Sequence, residues 1–217
     1  RLKIVKGGSV GSELALMKRV LDTAVRKWGY GIPYNPIKDI EFPKGSNPRT
    51  RRLQEGEKTH LLTAASSQRN IYIASIIEFA IETGMRRSEI LKLRWCDVNL
   101  ENGYAFLYDT KNGEDRRVPL TRRCINVLIG MLRDDERVFP ISANCLRLAW
   151  NRARRKAGIN DLRFHDLRHE AVSQFFEMGM SVPEVALISG HKDLRQLFRY
   201  AHLNPTNVFQ KYEAFSK

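Results

Sequence analysis

Two histidines and an arginine stand together in "HDLRH", His165 to His169. Four residues apart, His165 and His169 could share a helix face as metal ligands do. However, no third ligand stands at a characteristic spacing, and Arg168 would press against any cation. His165 and Arg168, three apart, also share a face and can address one anion. An anion grip is therefore favoured over a metal. Arg86, in "ETGMRRSEI", follows Gly84, which permits a tight turn, and precedes a short helix able to pin its side chain. A guanidinium presents paired donors that match two phosphate oxygens. Arg86 and Arg168, from different elements, could clamp a pentavalent phosphorane better than the ground state. Lys111, in "DTKNGED", sits at a turn from which an ammonium could protonate a departing alkoxide. "ISGHKDLRQLFRYAHL" supplies His191 and Tyr200. A phenol is a poor nucleophile at neutral pH, but cations around a phosphate and a nearby base can make its oxygen competent for covalent attack.

Taken singly, each residue has an ordinary explanation. Arginines coat surfaces, turn lysines are solvated, His191 could simply follow a helix end at Gly190, and Tyr200 could be a half-buried aromatic. Residue types alone leave these alternatives open.

The elements that would position these groups are mostly helices. Apolar positions Leu14, Leu16, Met17, Val20, Leu21 and Ala24 predict a helix from about Ser12 to Trp28, ended by Gly29 and Gly31. "IPYNPIKDIEFPKGSNPRTRR" then reads as a linker, which puts a domain boundary near residues 45 to 50. Two helices follow in "EGEKTHLLTAAS" and "NIYIASIIEFAIETG", and a third, short one in "RRSEILKLRW". The period then changes to alternation in "VNLENGYAFLYDTKNGEDRRVPL", whose turn formers predict three antiparallel strands. Helices resume in "RRCINVLIGMLR", "NCLRLAWNRARRKAG", "DLRHEAVSQFFEMG", "VPEVALISG" and near "TNVFQKYEAF". The expected fold class is mainly α (α+β), with one small three-stranded antiparallel sheet.

Composition bounds the partner. Of 217 residues, 37 are Lys or Arg against 24 Asp or Glu, a net charge of +13 that favours a polyanion such as nucleic acid. Arg152, Arg154, Arg155 and Lys156 cluster in "NRARRKAG", where contact with DNA backbone and a solvated face are both open. The three cysteines, Cys96, Cys124 and Cys145, form no CxxC pair, which argues against a disulfide frame and fits a reducing cytoplasm. No apolar run reaches the roughly 20 residues of a membrane helix. The chain opens on Arg1 without a methionine and reads as a fragment.

In combination, "TGMRRSEILKLRW", "TKNGEDRRVPL", "HDLRHEAVSQFFEMG" and "ISGHKDLRQLFRYAHL" resemble the tyrosine recombinases of the phage-integrase type, over roughly residues 50 to 212. The resemblance makes Arg86 the first catalytic arginine, with Glu89 the acidic member of TGxRxxE. It makes Lys111 the hairpin lysine, His165 and Arg168 the HxxR pair, His191 the second histidine position and Tyr200 the nucleophile. His169 and His202 receive supporting roles, and "RQLFR" before Tyr200 departs from the Thr-rich segment of many relatives. Residues 1–48 would be the end of a truncated core-binding domain with its linker, and 49–217 the catalytic domain. The implied activity is site-specific cutting and rejoining of double-stranded DNA through a 3′-phosphotyrosyl link, by an integrase, excisionase or invertase of a mobile element. It would need neither ATP nor a metal or other cofactor, because the bond energy stays in the link.

The resemblance also implies a bacterial or phage-encoded, cytoplasmic protein acting on nucleoid DNA, as a homo-oligomer. A tetramer would be joined by the last helix, from about Pro205, docking in trans through Val208, Phe209, Tyr212 and Phe215. Accessory DNA-bending proteins are compatible with it. Two alternatives are kept: relaxation of DNA in the manner of a type IB topoisomerase, and a catalytically silent DNA-binding regulator.

Overall fold

A helix that is apolar all round must be covered on every side. Residues 72–83 come close to this, with only Ser75, Glu78 and Glu82 forming a half-buried polar stripe, and the second compact unit is arranged around them. The computed structural model describes residues 5–43, 49, 51–108 and 115–200. It divides the chain into two compact units, 1–49 and 50–217.

In the first unit, helix α1 spans Gly7–Lys27. It starts five residues before the predicted Ser12, because the apolar spacing used to place the start is absent from "GGSVGS", while each glycine costs only about 1 kcal/mol in a helix. The Pro-rich stretch that follows folds back onto α1. Asn35, 3% exposed, accepts a hydrogen bond from Ile37 N and so caps a 3₁₀ turn over Pro36–Lys38. Its Nδ2 donates to Lys18 O and to Asp22 Oδ1, both at 3.0 Å.

In the second unit, α2 spans Glu57–Ser66, α3 Tyr72–Thr83 and α4 Arg87–Lys92. Strands β1 (Val98–Asn99), β2 (Tyr104–Leu107) and β3 (Arg116–Pro119) form an antiparallel sheet in chain order. Its register pairs Val98 with Ala105 and Leu107 with Arg116. Four helices complete the described part: α5 (Arg122–Ile129), α6 (Ala143–Lys156), α7 (Asp166–Glu177) and α8 (Val182–Ser189). Their starts carry side-chain caps where the sequence offers them: Thr121 on α5, Ser142 on α6, and Ser181 with Glu184 as a capping box on α8. The mainly helical class with one small three-stranded sheet is thus observed as expected. The last predicted helix, near "TNVFQKYEAF", lies outside the described residues.

Helix α3 buries Ile73, Ile76, Ile77, Phe79, Ala80 and Ile81, packed by α2, α5 and α7. Gly84 ends it in the left-handed conformation (φ +62°), where a Cβ would stand 3.2 Å from Ala171 Cβ of α7. That close approach brings the end of α3 within reach of Arg168 on α7. The chain entering this unit is fastened to the same helix: Arg52 pairs with the buried Glu170 at 2.9 Å, and Leu53 N donates to Glu170 Oε2 at 2.9 Å.

Candidate active site

Arg86 is the N-cap of α4, and its extended backbone (φ −69°, ψ 147°) turns the side chain away from the helix axis. Its Nη1 donates to Glu89 Oε1 at 2.8 Å and its Nη2 to Gly190 O at 3.1 Å. Arg168 lies in the first turn of α7 and is 5% exposed. Its Nη1 donates to Gly84 O at 2.6 Å, and its Nη2 to Ser189 O at 2.7 Å. The two guanidiniums are therefore hung from the carbonyls that close α3 and α8. These carbonyls lack intrahelical partners because they end helices.

His191 follows Gly190, the left-handed C-cap of α8. Its Nδ1 lies 2.7 Å from Ser189 Oγ. The Ser189 hydroxyl proton already goes to Val185 O at 2.6 Å, so Nδ1 is the donor, and the Nε2 lone pair is left 3.4 Å from Arg168 Nη2. His165 immediately precedes α7, on the solvent side of the cluster. The His165 ring meets that of His169 edge to face at 5.1 Å, so the two do not converge on a point as metal ligands would. Among the described residues, no three His, Cys, Asp or Glu side chains are grouped to hold a metal. Tyr200 is half-buried, its backbone N–H bonded to the carbonyl of fully buried Leu197 at 2.9 Å. Its Oη shares a hydrogen bond with His169 Nδ1, and the two rings stack at 5.7 Å.

The electrostatics are those of a shielded cationic pocket. Burial, then the neighbouring Arg86, pushes Arg168 down to about 10. Burial and Arg168 push His191 down to about 4, and burial and His165 do the same to His169. His165 is lowered by the shielding of its ring and by Arg168 and Arg86. Burial raises Tyr200 more than Arg199 and Arg168 lower it. Such a pocket favours an anion, whose charge would oppose the cationic part of these shifts.

Of the residues singled out from the sequence, the fold brings together Arg86, His165, Arg168, His191 and Tyr200 from three separate stretches. Lys111 lies outside the described residues, as do His202 and the apolar positions Val208, Phe209, Tyr212 and Phe215. The basic cluster on α6 is divided. Arg152, Arg155 and Lys156 are exposed and Arg154 is half-buried; Arg154 donates to Ile159 O at 3.0 Å, Lys156 to Ser67 Oγ at 2.7 Å and Arg152 to Gln68 Oε1 at 3.4 Å. An open cavity of about 350 Å³ lies along α6, lined in part by Arg87, Arg147, Trp150, Asn151, Arg163 and Phe164. Arg87 and Phe164 directly adjoin Arg86 and His165 in the chain.

Sequence reasoning missed Arg116. On β3 the odd–even alternation turns Arg116 and Val118 inward and Arg117 outward. Arg116, 8% exposed, donates to Ile188 O at 3.0 Å and pairs with Glu89 at 2.8 Å. Burial would raise the Glu89 carboxyl, but Arg116 and Arg86 outweigh it and hold Glu89 below the usual carboxylate range. Glu89 therefore joins the arginine of α4 to a second, inward-facing cation. The only signal in "RRVPL" was strand period, which could not say which arginine faced inward.

Residues 51–207 match the sequence profile of the phage integrase family. The shufflon-specific DNA recombinase of Escherichia coli is 41% identical over 214 residues, 98% of this chain and 55% of that protein. The integrase of Salmonella phage P22 is 27% identical, over 91% of this chain and 54% of that protein. The chain spans about half the length of these curated relatives. Among solved structures, a lambda integrase (75–356) dimer bound to a COC′ core site superposes with a TM-score of 0.75 at 20% identity, over 90% of this chain and 74% of that one. The catalytic domain of bacteriophage HP1 integrase does so at 0.63 and 25% identity, over 75% and 93%. The lambda likeness is one of fold, and the profile match, which spans well over half of the chain, carries the assignment: this chain belongs to the phage integrase family.

Proposed function

We propose that the chain is the catalytic part of a site-specific DNA recombinase of a mobile element, cutting and rejoining double-stranded DNA through a covalent tyrosine link. One observation carries the reading: Arg86, His165, Arg168, His191 and Tyr200, spread over more than a hundred residues of sequence, gather in one cationic cluster, with His165 on its solvent side. Arg86 and Arg168 hold the non-bridging oxygens of the scissile phosphate and gain most as charge builds in the pentavalent transition state. Their guanidiniums are braced by backbone carbonyls, so little reorganisation is needed when that charge appears. His165 adds a donor at the same phosphate, and His191, whose Nε2 lone pair faces Arg168, helps to hold that guanidinium in place. Tyr200 Oη attacks phosphorus and forms the 3′-phosphotyrosyl bond while the 5′ oxygen leaves. Lys111 protonates that oxygen. A partner strand's 5′-hydroxyl reverses the step.

The reading of α6 is that Arg155, with Arg152, Arg154 and Lys156 near it, follows DNA backbone. The adjoining cavity, with Arg87, Arg147 and Arg163, extends the basic surface away from the phosphate. Oligomer formation on DNA is part of the proposal. It is supported by the fold's likeness to a lambda integrase dimer on a core site and to a lambda integrase tetramer on a Holliday junction. Docking of the segment after Pro205 in trans, and accessory DNA-bending proteins, belong to the same proposal.

A nicked duplex whose short flanking strand diffuses away after cleavage tests it, since the covalent complex then accumulates on a denaturing gel. Wild type should trap DNA, and Tyr200→Phe should bind it equally but trap none. Equal binding with no trapping by wild type would leave a silent regulator. Relaxation of a supercoiled plasmid lacking any recombination site would favour a topoisomerase.

A further inference from the structure

We propose that His169 is the proton partner of the nucleophile: its Nδ1 takes the phenolic proton as Tyr200 Oη attacks the scissile phosphorus, and returns it when Oη departs. This rests on the recombinase reading above and gives a chemical role to a residue placed there only in support. Of the two histidines on this face of α7, the one that meets the phenol is His169, one helical turn beyond His165. Its Nδ1 shares a hydrogen bond with Tyr200 Oη, and the rings stack with an interplanar angle of 25°. Tyr200 is held there by its backbone bond to the buried Leu197 turn.

The charged and titratable groups around His169 set its state. On its own segment these are His165, Asp166 and Arg168; from the residues after α8 they are His191, Arg199 and Tyr200. Burial and the cationic members keep its imidazole neutral at neutral pH. A neutral imidazole can accept at Nδ1, and the phenol, itself held protonated, supplies the donor. The arriving phosphate offsets the surrounding positive charge and strengthens His169 as a base when the base is needed.

The step balances. In cleavage the Oη–P bond forms, the P–O5′ bond breaks, the phenolic proton moves to Nδ1 and the departing 5′ oxygen is protonated by a separate donor, Lys111. In rejoining the 5′-hydroxyl attacks and gives its proton back to the neutral Lys111 amine, O5′–P forms, Oη–P breaks and Nδ1–H returns its proton to the phenolate. No oxidant or further reactant enters.

The full chain is tested on a nicked duplex carrying the sequence it binds, selected by gel shift from a randomised pool. His169→Gln should slow covalent trapping by about 10²-fold or more, the usual worth of a positioned base, with DNA affinity within a few-fold of wild type. A second substrate carries a 3′-p-nitrophenyl phosphate beside a free 5′-hydroxyl. Joining it expels a phenolate that leaves without a proton, so His169→Gln should join it within a few-fold of wild type. Equal slowing on both substrates would make His169 a packing residue, and faster trapping by His169→Gln would make its bond a restraint on Tyr200; either overturns the proposal. If wild type traps nothing while joining nothing, the recombinase reading itself fails, a result distinct from both.

Discussion

Gly190→Ala tests the idea that a cation buried behind the site is held in place by the absence of a side chain. Gly190 has φ +68°, and an added Cβ would lie 2.8 Å from Arg116 Nη1, 2.9 Å from its Cζ and 3.1 Å from its Nε. The left-handed backbone alone costs an alanine about 1–2 kcal/mol. The guanidinium must also yield, and it is anchored at 3.0 Å to Ile188 O and at 2.8 Å to Glu89. Losing one partner of a buried pair outright costs about 3–5 kcal/mol, and a displaced partner loses part of that. Together these predict a destabilisation of about 3–5 kcal/mol, read from the urea midpoint of tryptophan fluorescence. In an Arg116→Met background the same glycine change should cost only its backbone strain, so the double-mutant cycle should show coupling of about 2 kcal/mol or more. Coupling within about 0.5 kcal/mol of zero would refute the reasoning, since the glycine would then matter for its backbone alone.

Glu89→Gln should leave Arg116 buried without its counter-charge and destabilise by about 3–5 kcal/mol. Because the folded carboxyl sits below its ordinary range, its contribution is present above that range and is lost as pH falls through the depressed value; an acid titration of stability on the variant should lack this component. His191 and His169 run the other way in charge but not in consequence. Each is pushed down to about 4 from an ordinary 6.5, so the unfolded chain takes up protons that the fold refuses, and stability should fall as pH drops across that window. His191→Gln should flatten the slope of urea midpoint against pH there. Arg168→Lys should cut covalent trapping by about 10²–10³-fold, because one ammonium cannot span Gly84 O and Ser189 O while facing a phosphate; gel shift should change only a few-fold. Arg155→Ala should lower the salt slope of DNA binding by about 1, whereas Arg154→Ala, which frees the carbonyl of Ile159, should act on stability instead.

The helices were legible where apolar spacing was strong, as in α3 and α5 to α8, because a buried face imposes its period on the chain. The start of α1 was less legible, because its first residues, "GGSVG", carry no apolar period even though a long helix tolerates them. The "linker" was read from its prolines, and Asn35 shows why that was incomplete. A buried amide with partners on α1 can dock a Pro-rich stretch that has no period of its own. The candidate site was legible only as residue types standing in a family order; the role of each residue stays with the proposed function.

Residue identity and spacing determined which chemistry was available: paired guanidiniums, imidazoles, a phenol and a surplus of positive charge. Those are local properties, set by functional groups and by the helical and strand periods that choose a face. The tertiary structure alone decided that Arg116 faces inward to meet Glu89, that the carbonyls ending α3 and α8 brace the two arginines, and that the phenol meets His169. These contacts join residues far apart in the chain, and they depend on close packing such as that of α3 on α7 at Gly84 and Ala171 and of α8 on β3 and α7. No local pattern encodes that packing, since it is settled by how whole apolar faces meet.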